Sequence, residues 1–122
     1  MAESDWAHRL RRDGNFNEAL AIYQRMLVEW RKLGHRAAMA NILENIAFID
    51  RVQERPERAV TLLAAAGQIR EAVGQDMLRL EREEYEQELA ALKNSLSPQA
   101  FDRSWSEGRN LSTDALVELV VN

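Results

Sequence analysis

The sequence contains no cysteine, and only two prolines and five glycines among 122 residues. Without cysteine the chain can form neither a disulfide nor a thiolate metal site. Val, Ile and Thr are sparse beside Ala, Leu, Glu, Arg and Gln, a usage that favours helices over strands. These scarcities predict an all-α protein, and the lack of thiols fits a reducing cytoplasm.

Long apolar runs and dense basic clusters are missing as well. The N-terminus lacks the apolar core of a signal peptide, and runs such as residues 64–67 are far too short to span a membrane. Residues 1–55 carry nine Lys/Arg against eight Asp/Glu, whereas residues 56–122 carry seven against twelve. Phosphate contacts need clustered basic side chains. We therefore expect a cytoplasmic protein that binds neither membranes nor nucleic acids directly.

The chain does contain an internal repeat. When the sequence is shifted by forty residues, Ala19 falls on Ala59, Gly34 on Gly74, and Arg11 on an arginine. Each unit has the pattern of two antiparallel helices followed by a glycine stop. We predict a single domain, 1–122, with about seven helices. Its segments are repeat one (3–34), repeat two (36–74), and a degenerate pair with a terminal capping helix (77–121).

Local signals predict where individual helices begin and end. Asn15 and Glu18 have the spacing of a capping box before the second helix, and Pro56 suits the first turn of the fourth. Ser97 and Ser112 are the predicted N-caps of the last two helices. Apolar spacing of three and four places the first, third, fifth and last helices at residues 4–12, 37–53, 78–96 and 114–121. Gly108 is predicted to end the sixth.

Residues 14–27, GNFNEALAIYQRML, resemble the turn and second helix of a tetratricopeptide repeat. Gly14 stands at the turn, Ala19 is the small residue at the helix crossing, and Tyr23 is the aromatic residue that fills the gap. The resemblance implies helix hairpins stacked into a right-handed superhelix. In the second unit Glu54 replaces the turn glycine, and Asp50 stands where an aromatic residue or leucine is usual.

The period of forty exceeds the 34 residues usual for that family. Repeats of this length resemble those of bacterial LuxR-type and other signal-transduction ATPase transcriptional regulators, and residues 54–74 followed by 81–120 resemble the C-terminal stretch that follows such repeats. The sequence has no GxxxxGK[ST] motif, so the ATPase itself is not in this chain. The resemblance implies a regulatory part of a bacterial signalling or transcription-regulator system.

Residue clusters typical of catalysis or metal binding are not evident in the sequence. His8 and His35 are the only histidines, and we interpret both as surface residues without partner ligands. The carboxylate-rich segment EREEYEQE, residues 81–88, is interpreted as the solvated face of a helix. Neither a nucleophile elbow nor a glycine-rich phosphate loop is present. We predict no catalytic residues, no metal and no cofactor: a protein that is not an enzyme.

The resemblance further implies a groove lined by the first helix of each pair. The groove-facing residues would be His8, Arg11, Arg12, Asn41, Glu44, Asn45, Phe48 and Arg51. Two arginines forty residues apart could grip the carboxylates of an acidic peptide, although exposed arginines are often merely solvated. We therefore predict a module that binds a protein or peptide partner. Two alternatives stay open: a small-molecule sensor with an enclosed pocket, or a homodimer formed through residues 114–121.

Overall fold

The computed structural model describes residues 3–121, and within them the chain forms seven α-helices and no β-strand. This confirms the all-α prediction. None of these helices combines the length and apolarity needed to cross a bilayer. In chain order the helices are α1 Glu3–Arg12, α2 Phe16–Leu33, α3 Arg36–Val52, α4 Pro56–Val73, α5 Arg79–Ser95, α6 Pro98–Arg109 and α7 Thr113–Val121.

Helices α2 and α4 have matching lengths and are offset by forty residues along the chain. They begin at residues 16 and 56 and end at residues 33 and 73, so both pairs of bounds lie forty residues apart. Each is followed by a glycine in the left-handed conformation, Gly34 at φ 69° and Gly74 at φ 70°. The N–H of each glycine bonds back to the last turn, which satisfies carbonyls that the helix leaves free.

The α1–α2 and α3–α4 turns carry different residues at the position with positive φ. Gly14 between α1 and α2 has φ 86°, and Glu54 between α3 and α4 has φ 62°. Among residues 3–121, Glu54 is the one non-glycine residue with positive φ. A side chain in this region costs about 1–2 kcal/mol because Cβ approaches the following carbonyl oxygen. The α3–α4 turn therefore holds a non-glycine residue under backbone strain where the α1–α2 turn has glycine.

The core lies among α1 to α4, which pack against one another in sequence order. The small residues Ala7, Ala19, Ala47 and Ala59 are all at most 1% exposed. Small side chains allow neighbouring helices to approach closely, and larger ones fill the space between them. The largest fully buried side chains of these helices are Tyr23, Leu27, Met39, Ile42, Leu43, Ile46, Ile49, Leu62, Leu63 and Ile69.

Helix α6 packs closely along α4. The prediction that Gly108 ends this helix was wrong, because α6 continues to Arg109. A Cβ atom at Gly108 would lie 2.1 Å from the backbone oxygen of Thr61. At the same crossing the Thr61 hydroxyl donates a hydrogen bond of 3.3 Å to the carbonyl of Ser104. Glycine at 108 thus serves the approach of two backbones, not the termination of a helix.

The terminal helix α7 packs against α2. Leu116 and Val120 are buried there, and the Gln24 side-chain amide donates to the Val120 carbonyl at 2.9 Å. Leu119 and Val121 stay 38% and 42% exposed. Much of the apolar surface considered for a homodimer is therefore already used within the chain.

The N-caps follow the predictions except at α2. Ser97 and Ser112 each accept a hydrogen bond of 3.1 Å from the backbone N–H three residues ahead. Asn15 precedes α2 but makes no side-chain cap bond, so the predicted capping box was wrong. Its backbone, at φ −85° and ψ 64°, departs from the extended geometry of Ser97, which has ψ 154°.

Candidate protein-binding groove

The eight predicted groove residues all lie on α1 and α3. We call them together the groove face. They are not an open surface: Arg11, Glu44, Asn45 and Phe48 are buried, His8, Asn41 and Arg51 are partly buried, and Arg12 is exposed. Something else in the chain therefore covers this face.

The cover is helix α5. This helix carries three carboxylates on one face: Glu81, then Glu84 three residues later and Glu88 seven residues later. We call these three carboxylates the acidic row. Each is partly buried and bonds to a residue of the groove face. Interpreting residues 81–88 as merely a solvated face was therefore wrong for the inner side of the helix, although Glu83 and Glu86 on its outer side are exposed.

Arg11 is the centre of the contact. Its Nη2 atom lies 3.0 Å from both carboxylate oxygens of Glu84, and its Nε atom donates to Asn45 at 2.9 Å. The guanidinium also lies over the Phe48 ring, 5.2 Å from the ring centroid, within cation–π distance. Asn45 in turn donates to the Asn41 carbonyl at 2.9 Å. Arg11 is thus held in one orientation, with its Nη2 group directed at Glu84 of α5.

Arg51 and Asn41 hold the two ends of the acidic row. Arg51 forms a two-point ion pair with Glu88, one bond of which measures 3.2 Å, and this bond raises the pKa of Arg51. Asn41 donates to Glu81 at 3.0 Å. Because residue 81 pairs with residue 41 and residue 88 with residue 51, α5 runs along α3 in the same direction.

Glu44 belongs to the groove face by position but is committed to another contact. Its two oxygens accept bonds of 2.9 and 2.7 Å from Arg70, which also donates to the Asp76 carbonyl at 3.3 Å. Burial raises the pKa of the Glu44 carboxyl, and the Arg70 guanidinium opposes that shift. The pair ties α3 to α4, so we assign Glu44 a role in packing.

His8 was expected at the surface, and this was wrong: it is partly buried and its Nδ1 atom shares a short hydrogen bond with the Tyr23 hydroxyl. Burial, then the charge of Arg11, lowers the pKa of His8. Burial raises the pKa of Tyr23 to about 12. The other histidine, His35, is exposed as expected and accepts the Ala38 N–H at the start of α3.

A small cavity remains between the groove face and α5. Its volume is about 50 Å³, and besides the groove face it is lined by Glu81 and Glu84. Water needs roughly 10–15 Å³ of such space, so the cavity has room for only a few molecules. An open depression of about 410 Å³ adjoins it and shares His8, Asn41 and Glu81. The groove is therefore closed in its middle and open beside the N-terminal end of α5.

The sequence named the residues of the groove face as candidates, and sequence reasoning missed that α5 lies on them. The missed residues are the acidic row, and two signals pointed to it: carboxylates on one helical face, and arginines forty residues apart on another. A further missed pair is Asp50, fully buried, with Arg58 at 2.8 Å on both oxygens. Asp50 was noted only as a departure from the family pattern. The pair joins the C-terminal end of α3 to the start of α4.

Residues 3–121 contain no group of three or more His, Asp or Glu side chains arranged to hold a metal ion. The carboxylates with raised pKa values, Glu44 and Asp50, each bond to an arginine through both oxygens. They are engaged in ion pairs between helices. The arrangement suits binding of complementary charge more than proton transfer.

Comparisons with known proteins do not supply a relative. The chain matches no protein-family model, and neither the curated proteins nor the solved structures include a significant match.

Proposed function

We propose that this chain is a non-catalytic protein–protein interaction module built from tetratricopeptide-like hairpins in a right-handed superhelix. The equivalent bounds of α2 and α4, their identical glycine stops, and the buried alanines forty residues apart support such a repeat. In repeat proteins of this kind, stacked hairpins create an extended surface that receives a partner.

The observation that carries the proposal is the contact between the groove face and the acidic row. Arg11, Asn41 and Arg51 lie along two helices and bind three carboxylates of a third. This contact within the chain supports an acidic helix as the kind of ligand that the groove face binds. Charge-assisted bonds of this kind give orientation and specificity to an interface.

The cellular role follows from the sequence resemblance. It favours a regulatory part of a bacterial signalling or transcription-regulator system, located in the cytoplasm. The two alternatives have less structural support. The cavity of about 50 Å³ is far below the 300–1,000 Å³ typical of small-molecule sites, and the adjoining depression of about 410 Å³ is open to solvent. The apolar residues of α7 are largely packed on α2, which leaves little for a homodimer.

A capture experiment tests the proposal. The full chain is used to capture proteins from an extract of its own host, and the captured set is compared with that of Arg11→Glu/Arg51→Glu. A matched control, Arg9→Glu/Arg103→Glu, makes the same change of charge at two exposed positions away from the acidic row. Circular dichroism confirms that each variant is still helical.

We expect a partner bound by the wild type and the control but lost by the groove variant. Equal capture by all three chains would show that the groove face is not the binding surface. Capture of no partner by any of them would argue against an interaction module.

A further inference from the structure

Helix α5 has few buried residues for its length. Leu92 is its one fully buried residue, and Tyr85 and Leu89 are only partly buried. At its N-terminal end Leu78 and Leu80 are 73% and 76% exposed. Residues 79–88 of α5 are therefore held on the groove face mainly by the acidic row. Segments with few buried apolar contacts are the ones that open locally at low free-energy cost.

The neighbouring helix does not depend on α5 for its position. Helix α6 lies against α4 at the Gly108–Thr61 approach, and Arg109 donates to Glu71 at 2.6 Å. Residues 74–78, between α4 and α5, are not helical. Residues 79–88 of α5 can thus move away from the groove face while its C-terminal end, at Leu92, and α6 remain in place.

We propose that α5 is a displaceable internal ligand, and that the partner of the groove is an acidic helix with carboxylates at positions i, i+3 and i+7. This inference rests on the proposed function and adds the class of partner to it. The partner enters at the open depression beside the N-terminal end of α5 and replaces the acidic row on Arg11, Asn41 and Arg51.

The chemistry of the groove face selects such a partner. Arg11 and Arg51 direct guanidinium groups, and Asn41 an amide N–H, at α5. The one carboxylate on this face, Glu44, is neutralised by Arg70. The surface left for a ligand therefore consists of donors in a row, and carboxylates on one side of a helix match it.

Because α5 is part of the same chain, it competes strongly with a separate peptide for the groove face. A covalently attached segment acts at an effective concentration of the order of mM, so a separate copy of α5 should bind the wild type only weakly. Weakening the internal contact increases the fraction of chains with an open groove, and apparent affinity rises with that fraction. We expect at least a ten-fold gain in affinity when two of the three carboxylates of the acidic row are neutralised.

The experiment titrates a labelled synthetic peptide of residues 79–95 against the full chain and follows fluorescence anisotropy. Three chains are compared: wild type, Glu84→Gln/Glu88→Gln, and the control Glu83→Gln/Glu86→Gln, which removes the same charge from the exposed side of α5. A second peptide carries glutamine at the three positions of the acidic row. The inference predicts about ten-fold or tighter binding by the first variant, wild-type affinity for the control, and no binding of the glutamine peptide.

Two outcomes overturn the inference. If Glu84→Gln/Glu88→Gln binds the peptide no more tightly than the control, α5 is a fixed part of the fold. If the glutamine peptide binds equally well, carboxylates do not define the partner. Should capture of a host partner still depend on Arg11 and Arg51, the proposed function stands while the displacement of α5 is refuted.

Movement of α5 can also be measured in a chain that keeps its acidic row. Because the sequence has no cysteine, spin labels can be attached at Leu80→Cys and Ala21→Cys, two exposed positions. A saturating concentration of the peptide should add a longer distance to the distribution measured by pulsed electron resonance. Hydrogen exchange gives an independent check: amides of residues 81–88 should exchange faster than those of α3 and α4. Exchange of α5 only through global unfolding contradicts the proposal.

Discussion

The close approach of α6 to α4 at Gly108 predicts that Gly108→Ala lowers the free energy of unfolding, whereas the same substitution in an ordinary helix raises it. In an ordinary helix, replacing glycine by alanine stabilises by roughly 0.5–1 kcal/mol, because alanine loses less backbone entropy on folding. At Gly108 the added Cβ would lie 2.1 Å from the Thr61 oxygen and 2.9 Å from the Ala64 Cβ. Contacts under 3.0 Å are essentially never seen for real Cβ atoms, so the Cβ and the Thr61 oxygen would have to separate by at least 0.9 Å, the difference between 3.0 and 2.1 Å.

Separating the two helices weakens the packing between them, and the resulting loss of free energy can be estimated. A radial gap of 0.5–1 Å forfeits about a quarter to a half of the attraction between packed atoms, and overpacking a core typically costs about 1–3 kcal/mol. The obstacle is backbone and cannot rotate away, which favours the upper part of that range. After the gain in helix propensity is subtracted, we expect Gly108→Ala to lower the free energy of unfolding by about 2 kcal/mol.

Gly67 provides the matched control in the facing helix. A Cβ there would meet only Arg109 Nη1, at 3.9 Å, which is an ordinary contact. Gly67→Ala should therefore stabilise by about 0.5–1 kcal/mol. Urea denaturation followed by circular dichroism gives both changes from the transition midpoint, provided that the slope is unchanged. If Gly108→Ala is as stable as the wild type, the close packing of α4 and α6 described above is incorrect.

Three further changes test the strained turn and the buried ion pairs. Glu54→Gly should stabilise by about 1 kcal/mol in urea denaturation, because glycine adopts the left-handed conformation without the Cβ penalty; a loss of stability would contradict the assigned backbone strain. Arg58→Met leaves the fully buried Asp50 without its two-point partner and should cost about 3 kcal/mol; replacing both residues by leucine should recover most of the loss, and failure to do so would mean that the ion pair is not the cause. Burial raises the pKa of Glu44 above its ordinary 4.5, so the folded state binds this proton more tightly than the unfolded state. The stability contributed by binding this proton is therefore complete below pH 4.5 and is lost as the pH rises through the pKa of Glu44 in the folded state. Urea denaturation at a series of pH values should show this decline for the wild type and not for Glu44→Gln.

From the sequence, the arginines of the groove face and the acidic helix could each be predicted, but not the contact between them. The forty-residue offset related Arg11 to Arg51, and the charge pattern of residues 81–88 marked an acidic helix. Neither signal says that the two meet, because Arg11 and Glu84 are 73 positions apart and no local rule links residues at that separation. The same limit applies to Gly108: its partner in α4 lies 47 positions earlier, so the glycine resembled a helix stop in the sequence.

The sequence by itself determined the elements of this protein: seven helices, the equivalent bounds of α2 and α4, and the glycines that end both. These features depend on propensity, capping and apolar spacing, which act over a few residues. Only the tertiary structure decided that α5 lies on the groove face and that α6 lies on α4. Those contacts depend on the angles at which whole helices pack, and packing angles are set by many side chains together.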